Sequence, residues 1–205
     1  MIIDRLNALI RHIPAWGVYI VCALPAPYLL YLALTGGLGV EPIKALEQEL
    51  GRFGLQLLIA GLAITPMRRY IGLNLLKFRR AVGLLTFFYI SLHLLVWLVL
   101  DVQILDEIWA DIIKRPYVTI GMTAYALMLP LAFTSNNWSV RKLGPRWRAL
   151  HKTVYGIAIL GGLHFVWLSK GFQLEPLAYL GVVVGLLALR LPRRRKTLRV
   201  RAESA

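Results

Sequence analysis

The sequence predicts an all-α integral membrane bundle of six transmembrane helices, and three observations carry that expectation. Of the 205 residues, 58% are hydrophobic and the mean hydropathy is +0.63. A soluble domain of this length cannot hide so much apolar surface in one core. The apolar residues also gather into runs near the ~20 residues that a bilayer-crossing helix requires. Finally, the net charge of +14 comes from short basic clusters between those runs. That distribution speaks against a nucleic-acid-binding face.

The spans fall at roughly 16–34, 51–66, 82–100, 117–134, 149–168 and 174–191. The first is not a signal peptide, being too long, carrying Pro25 and Pro27, and lacking a small-residue cleavage site. Those prolines kink the helix, which neighbouring helices tolerate. The second span is the least clean, since it opens with Gly51 and Arg52 close to Glu47 and Glu49. No internal repeat or soluble domain stands out, and a basic tail over 192–205 is the one extension.

Orientation follows from the loops. Arg5 and Arg11 lie before the first span, Arg68, Arg69, Lys77, Arg79 and Arg80 between the second and third, and Arg141, Lys142, Arg146 and Arg148 between the fourth and fifth. The tail adds the run from Arg193 to Arg201. Alternate loops are acidic, with Glu41, Glu47 and Glu49 in one and Asp101, Asp106, Glu107 and Asp111 in the other. The positive-inside rule then puts both termini in the cytoplasm.

Chemistry concentrates on histidine. His12 precedes the first span and is assigned no role, His93 lies within the third, and His151 and His164 both lie on the fifth. Ionisable groups inside a span are costly and mark functional sites by default; the alternative is a histidine serving as interhelical packing glue. Counted from the cytoplasmic entry near Val82, His93 is ~16 Å deep, and counted from Ala149, His164 is ~22 Å deep. Two imidazoles at similar depth on different helices can ligate one iron from opposite faces. Zinc asks for about four protein ligands, and the chain offers a single cysteine, Cys22, and no carboxylate at that depth. Haem supplies four equatorial nitrogens itself. With no Cys-x-x-Cys-His attachment motif, it would be the non-covalent b type.

His151 is ~20 Å from His164 along the axis and lies near the cytoplasmic entrance. Arg79 and Arg80 occupy the matching depth on the third span, so a second site there has no obvious histidine partner; an interfacial histidine is the competing reading. Gly161 and Gly162 serve either a close macrocycle or close helix packing. Trp97, Trp109, Trp138, Trp147 and Trp167 fall near span ends, as an aromatic belt does. Arg52 is placed to pair with a haem propionate, or is an ordinary interfacial arginine. Arg79, Arg80, Arg146 and Arg148 are placed to hold a flavin phosphate or lipid headgroups. No nucleotide-binding glycine fingerprint is present, which disfavours direct binding of a reduced nicotinamide.

Several stretches taken in order are similar to the MsrQ (YedZ) family, the haem-binding membrane subunits of bacterial periplasmic methionine sulfoxide reductase systems. They are Ile-Thr-Pro at 64–66, Leu-His at 92–93, Arg-Pro-Tyr-Val-Thr-Ile-Gly at 115–121, Leu-Ala-Phe-Thr-Ser at 131–135, and the run from Arg141 to Tyr155, followed by His164. The resemblance implies a single ferric-reductase-like transmembrane domain over 1–205 in the bacterial inner membrane, with b-type haem and FMN as cofactors. It implies electrons drawn from the quinone pool or a cytoplasmic flavin reductase. They would pass to a periplasmic molybdopterin partner, MsrP, which itself reduces methionine sulfoxide in oxidised proteins. The family's histidine positions correspond to His93, His151 and His164. The wider superfamily usually carries paired histidines on both haem-bearing helices, whereas here the third span carries His93 alone. One outer haem, with an inner site for FMN or a less regular haem, fits that pattern better than a symmetric two-haem wire. Two other functions compete: a transmembrane metal or oxygen reductase component, and a proton-coupled transporter using His93 and His164 as a relay.

Overall fold

The computed structural model describes residues 2–169 and 173–191, and all regular structure among them is helical. The basic run from Arg193 to Arg201 lies outside the described residues.

An amphipathic helix α1 (Ile2–His12) leads into α2 (Ala15–Ala23) and α3 (Pro25–Leu34). The last two form one apolar stretch, Ala15–Leu34, jointed where Pro25 has no N–H to give. Next come α4 (Pro42–Pro66) with a π-helical turn at Met67–Ile71, and α5 (Arg79–Val96) with another at Trp97–Val102. A short amphipathic α6 (Leu105–Lys114) connects to α7 (Pro116–Phe133). Two small helices, α8 (Asn137–Leu143) and α9 (Pro145–Leu150), precede α10 (Val154–Leu168) and α11 (Leu174–Arg190).

Among the described residues, five helical stretches are long and apolar enough to cross a membrane: Ala15–Leu34, Pro42–Ile71, Leu76–Val102, Pro116–Phe133 and Pro145–Leu168. The sixth expected span is a helix of 17 residues, α11. The second span begins well before the expected 51, because hydropathy sees only the evenly apolar part of the helix. Its first turns are amphipathic, burying Leu46 and Leu50 while carrying Glu47 and Glu49. Both carboxylates therefore belong to α4, not to the preceding loop.

Two antiparallel pairs, α4 with α5 and α7 with α10, organise the bundle; α2 and α3 flank the first, and α11 packs across α10 and α4. Leu46, Leu50 and Leu57 of α4 meet Leu85, Tyr89 and Val96 of α5 in the main core. The fully buried Tyr89 donates its hydroxyl proton to the Cys22 carbonyl at 2.7 Å, tying the first span to this core. A second core joins Leu62, Ala158 and Val183.

Pro66 stands inside α4 and cannot donate to the Leu62 carbonyl four residues back. The Arg190 guanidinium fills that vacancy, donating to the Leu62 carbonyl at 2.6 and 3.0 Å and to Gly61 at 3.2 Å. Away from water such a carbonyl must find a partner within the protein, and here it comes from α11.

Candidate functional site

The two helix pairs each present one histidine, held in the same way. On α5, His93 Nδ1 lies 2.8 Å from the Glu47 carbonyl of α4. On α10, His164 Nδ1 lies 2.7 Å from the Tyr117 carbonyl of α7. A carbonyl can only accept, so each Nδ1 carries the proton and each Nε2 keeps a free lone pair. One turn beyond each acceptor stands a glycine, Gly51 or Gly121, against which the imidazole rests. A Cβ at Gly51 would lie 2.9 Å from His93 Nδ1, and one at Gly121 would lie 2.8 Å from His164 Nδ1. Side chains larger than hydrogen would push either ring off its carbonyl.

The two rings converge between the pairs, with centroids 6.2 Å apart and planes crossed at 83°. Metal–imidazole bonds of about 2 Å, with about 1 Å more from nitrogen to ring centre, put two trans ligands about 6 Å apart. Among the described residues no group of three or more His, Cys, Asp or Glu is arranged to hold a bare metal ion. A two-imidazole donor set at this spacing fits a metal that brings its own equatorial ligands, as haem iron does.

The other end of the bundle is built differently. His151 sits in a 3-10 turn, His151–Thr153, that joins α9 to α10. Its Nε2 lies 3.0 Å from the Thr134 hydroxyl, whose own proton goes to the Pro130 carbonyl at 2.6 Å. That hydroxyl therefore meets His151 as an acceptor, and Nε2 carries the ring proton, the opposite tautomer to the other two. Trp147 stacks on the ring at 3.9 Å and anchors its indole N–H to the Thr134 carbonyl at 2.9 Å. The structure does not bring His151 to the His93–His164 pair.

Of the arginines singled out in the sequence, Arg52 follows Gly51 in α4 and bridges two carboxylates. Its Nη1 is 2.7 Å from Glu49 and its Nε 3.2 Å from Glu175 of α11. Arg79, Arg80 and Arg148 are exposed at the His151 end, where Arg80 donates to Asn137 at 2.8 Å. Gly162 serves packing, since a Cβ there would lie 2.8 Å from Leu180 of α11. Trp109, Trp138 and Trp167 are exposed as a belt requires, but Trp97 is buried and Trp147 covers His151.

The family described as ferric reductase like transmembrane component matches residues 50–162. That stretch contains Gly51, His93, Gly121 and His151 and stops just short of His164. Fold, histidine placement and this match define the chain as a ferric-reductase-like transmembrane component. The chain is 47% identical over 186 residues to the protein-methionine-sulfoxide reductase heme-binding subunit MsrQ of Agrobacterium fabrum, covering 89% of this chain and 86% of that one. Its identity to the MsrQ subunit of Brucella melitensis biotype 2 is 46%, over 92% of this chain and 89% of the relative. That of Brucella anthropi is also 46% identical, over 87% and 81% respectively. No solved structure matches the chain. The chain belongs to the MsrQ family.

Proposed function

We propose that this chain is a b-haem electron-transfer subunit of the inner membrane, in which His93 and His164 would hold one haem. The observation that carries the proposal is the paired imidazoles, each with Nδ1 tied to a backbone carbonyl and Nε2 left without a proton, their ring centroids 6.2 Å apart. When bound, a haem would supply one-electron redox chemistry at this position. The chain's own contribution is positional and electrostatic. The Glu47 and Tyr117 carbonyls orient the rings and raise their basicity, and the surrounding helices exclude water.

In this reading the sixth helix also crosses the membrane and both termini are cytoplasmic, because the basic clusters lie at the end away from the paired histidines. The haem then sits toward the periplasm. The acceptor there is a molybdopterin methionine sulfoxide reductase, MsrP, which performs the reduction and so supports repair of oxidised periplasmic proteins. Support comes from the methionine-sulfoxide-reductase designation of the relatives. The donor is the quinone pool or a cytoplasmic flavin reductase, and the exposed Arg79, Arg80 and Arg148 beside His151 form an inner site for FMN. Arg52 remains assigned to the haem periphery, in competition with its two carboxylate partners.

The test is optical. Protein purified from haem-replete cells should be red, and dithionite should develop the bands of a six-coordinate low-spin b haem. A haem-to-protein ratio of about one and extractable flavin complete the expected result. A colourless protein sinks the proposal and favours a proton relay.

A further inference from the structure

We propose that Gly51 and Gly121 are positioning residues that set the crossed orientation of His93 and His164, and with it the electronic signature of the iron between them. The inference rests on the haem reading above and adds a claim about two residues that touch neither iron nor substrate.

The two half-sites are equivalent in construction. In each, a helix offers a carbonyl and, four residues on, a glycine, while the neighbouring helix lays an imidazole edge across both. At Gly51 an added Cβ would lie 2.9 Å from His93 Nδ1 and 3.2 Å from Cε1; at Gly121 the distances to the same His164 atoms are 2.8 and 3.0 Å. The approached atoms are not the free end of a flexible chain, because each ring is tethered through that very nitrogen. Other crowded helical glycines differ: Gly54 meets Ile90 Cδ1 and Gly162 meets Leu180 Cδ1, both able to change rotamer. Gly83 on α5 and Gly156 on α10 face open space.

Because each glycine lets its ring lie fixed on its own helix pair, the two glycines together with the crossing of the pairs set the angle between the rings, and it is 83°. Crossed imidazoles donate to different iron π-type d orbitals and leave them close in energy. The expected electron paramagnetic resonance of the ferric state is then a single, strongly anisotropic low-field feature. Parallel rings split those orbitals and give three resolved features. Outer-shell partners of a ligating histidine tune the metal in this way.

The experiment compares the haem-loaded full chain with Gly51→Ala, Gly121→Ala, Gly83→Ala and Gly156→Ala. The wild type and the last two should show the single low-field feature. Gly51→Ala and Gly121→Ala should lose it, giving a three-feature or high-spin spectrum. Retention of the wild-type signal in both overturns the proposal. Should the alanine variants fail to accumulate, the wild type decides alone: a haem-bearing chain with a three-feature spectrum overturns the positioning claim while leaving the haem reading intact. A wild type without haem overturns the haem reading instead.

Discussion

The two ends of the bundle hold the same kind of side chain in opposite states of readiness. At one end His93 and His164 give their Nδ1 protons to main-chain carbonyls and keep Nε2 free, 6.2 Å apart from ring centre to ring centre. At the other, His151 spends Nε2 on the Thr134 hydroxyl and lies under the Trp147 indole. On the proposed assignment, what separates a haem-holding histidine from a structural one is not position alone but which nitrogen the protein has already engaged.

The largest effects should fall on the first end. His93→Ala or His164→Ala should each lower haem affinity by more than ~100-fold, beyond the ~10–100-fold typical of an outer-shell partner. Haem content after purification measures it, and the two variants should fail alike. His151→Ala should leave the low-spin spectrum of the outer pair in place. If it removed that haem as completely as the other two, the contrast between the ends would collapse. Thr134→Val gives a finer version of the same test. It removes the acceptor that holds the proton on His151 Nε2, so the ring 15N shifts of His151 should move from those of a fixed Nε2–H tautomer toward averaged values while the spectrum of the His93–His164 site is unchanged. Unaltered His151 shifts would mean that the hydroxyl does not govern this proton.

Much of this contrast was legible in the sequence, and the rest was hidden for physical reasons. Depth along two helices sufficed to match His93 with His164, because the helical rise is fixed and both ends of the count were marked by basic residues. The acceptors were not legible: a main-chain carbonyl looks the same in every residue, so nothing about Glu47 or Tyr117 announces its role. In the sequence Gly51 marks only the uneven start of a span, and Gly121 only the end of Arg-Pro-Tyr-Val-Thr-Ile-Gly at 115–121. Both make sense once the facing imidazoles are in place. Of the two readings open for Gly161 and Gly162, close helix packing holds at Gly162, where a Cβ would lie 2.8 Å from Leu180. The start of α4 was misplaced because its first turns bury leucines on one side only, a pattern that average hydropathy dilutes.

Arginine supplies a second contrast between the ends, and smaller predictions. At the His151 end, Arg190 satisfies the Leu62 carbonyl that Pro66 leaves without a donor. Arg190→Leu strands that carbonyl, and an unsatisfied buried group costs about 1–3 kcal/mol. Thermal unfolding in detergent should show the loss. Replacing Pro66 by alanine in the same background should recover most of it by restoring the helix's own N–H donor.

At the opposite end, Arg52 holds Glu49 and Glu175 while remaining one-third exposed. Partly solvated pairs of this kind contribute about 0–1 kcal/mol. Arg52→Gln should therefore move the unfolding midpoint less than Arg190→Leu, and raised salt should diminish the difference from wild type. A larger effect that persists in salt would mean that Arg52 supports the adjacent Gly51 turn as well as linking α4 to α11. In that case Arg52→Gln would also disturb the crossed imidazoles, and the ferric spectrum would report it before stability did.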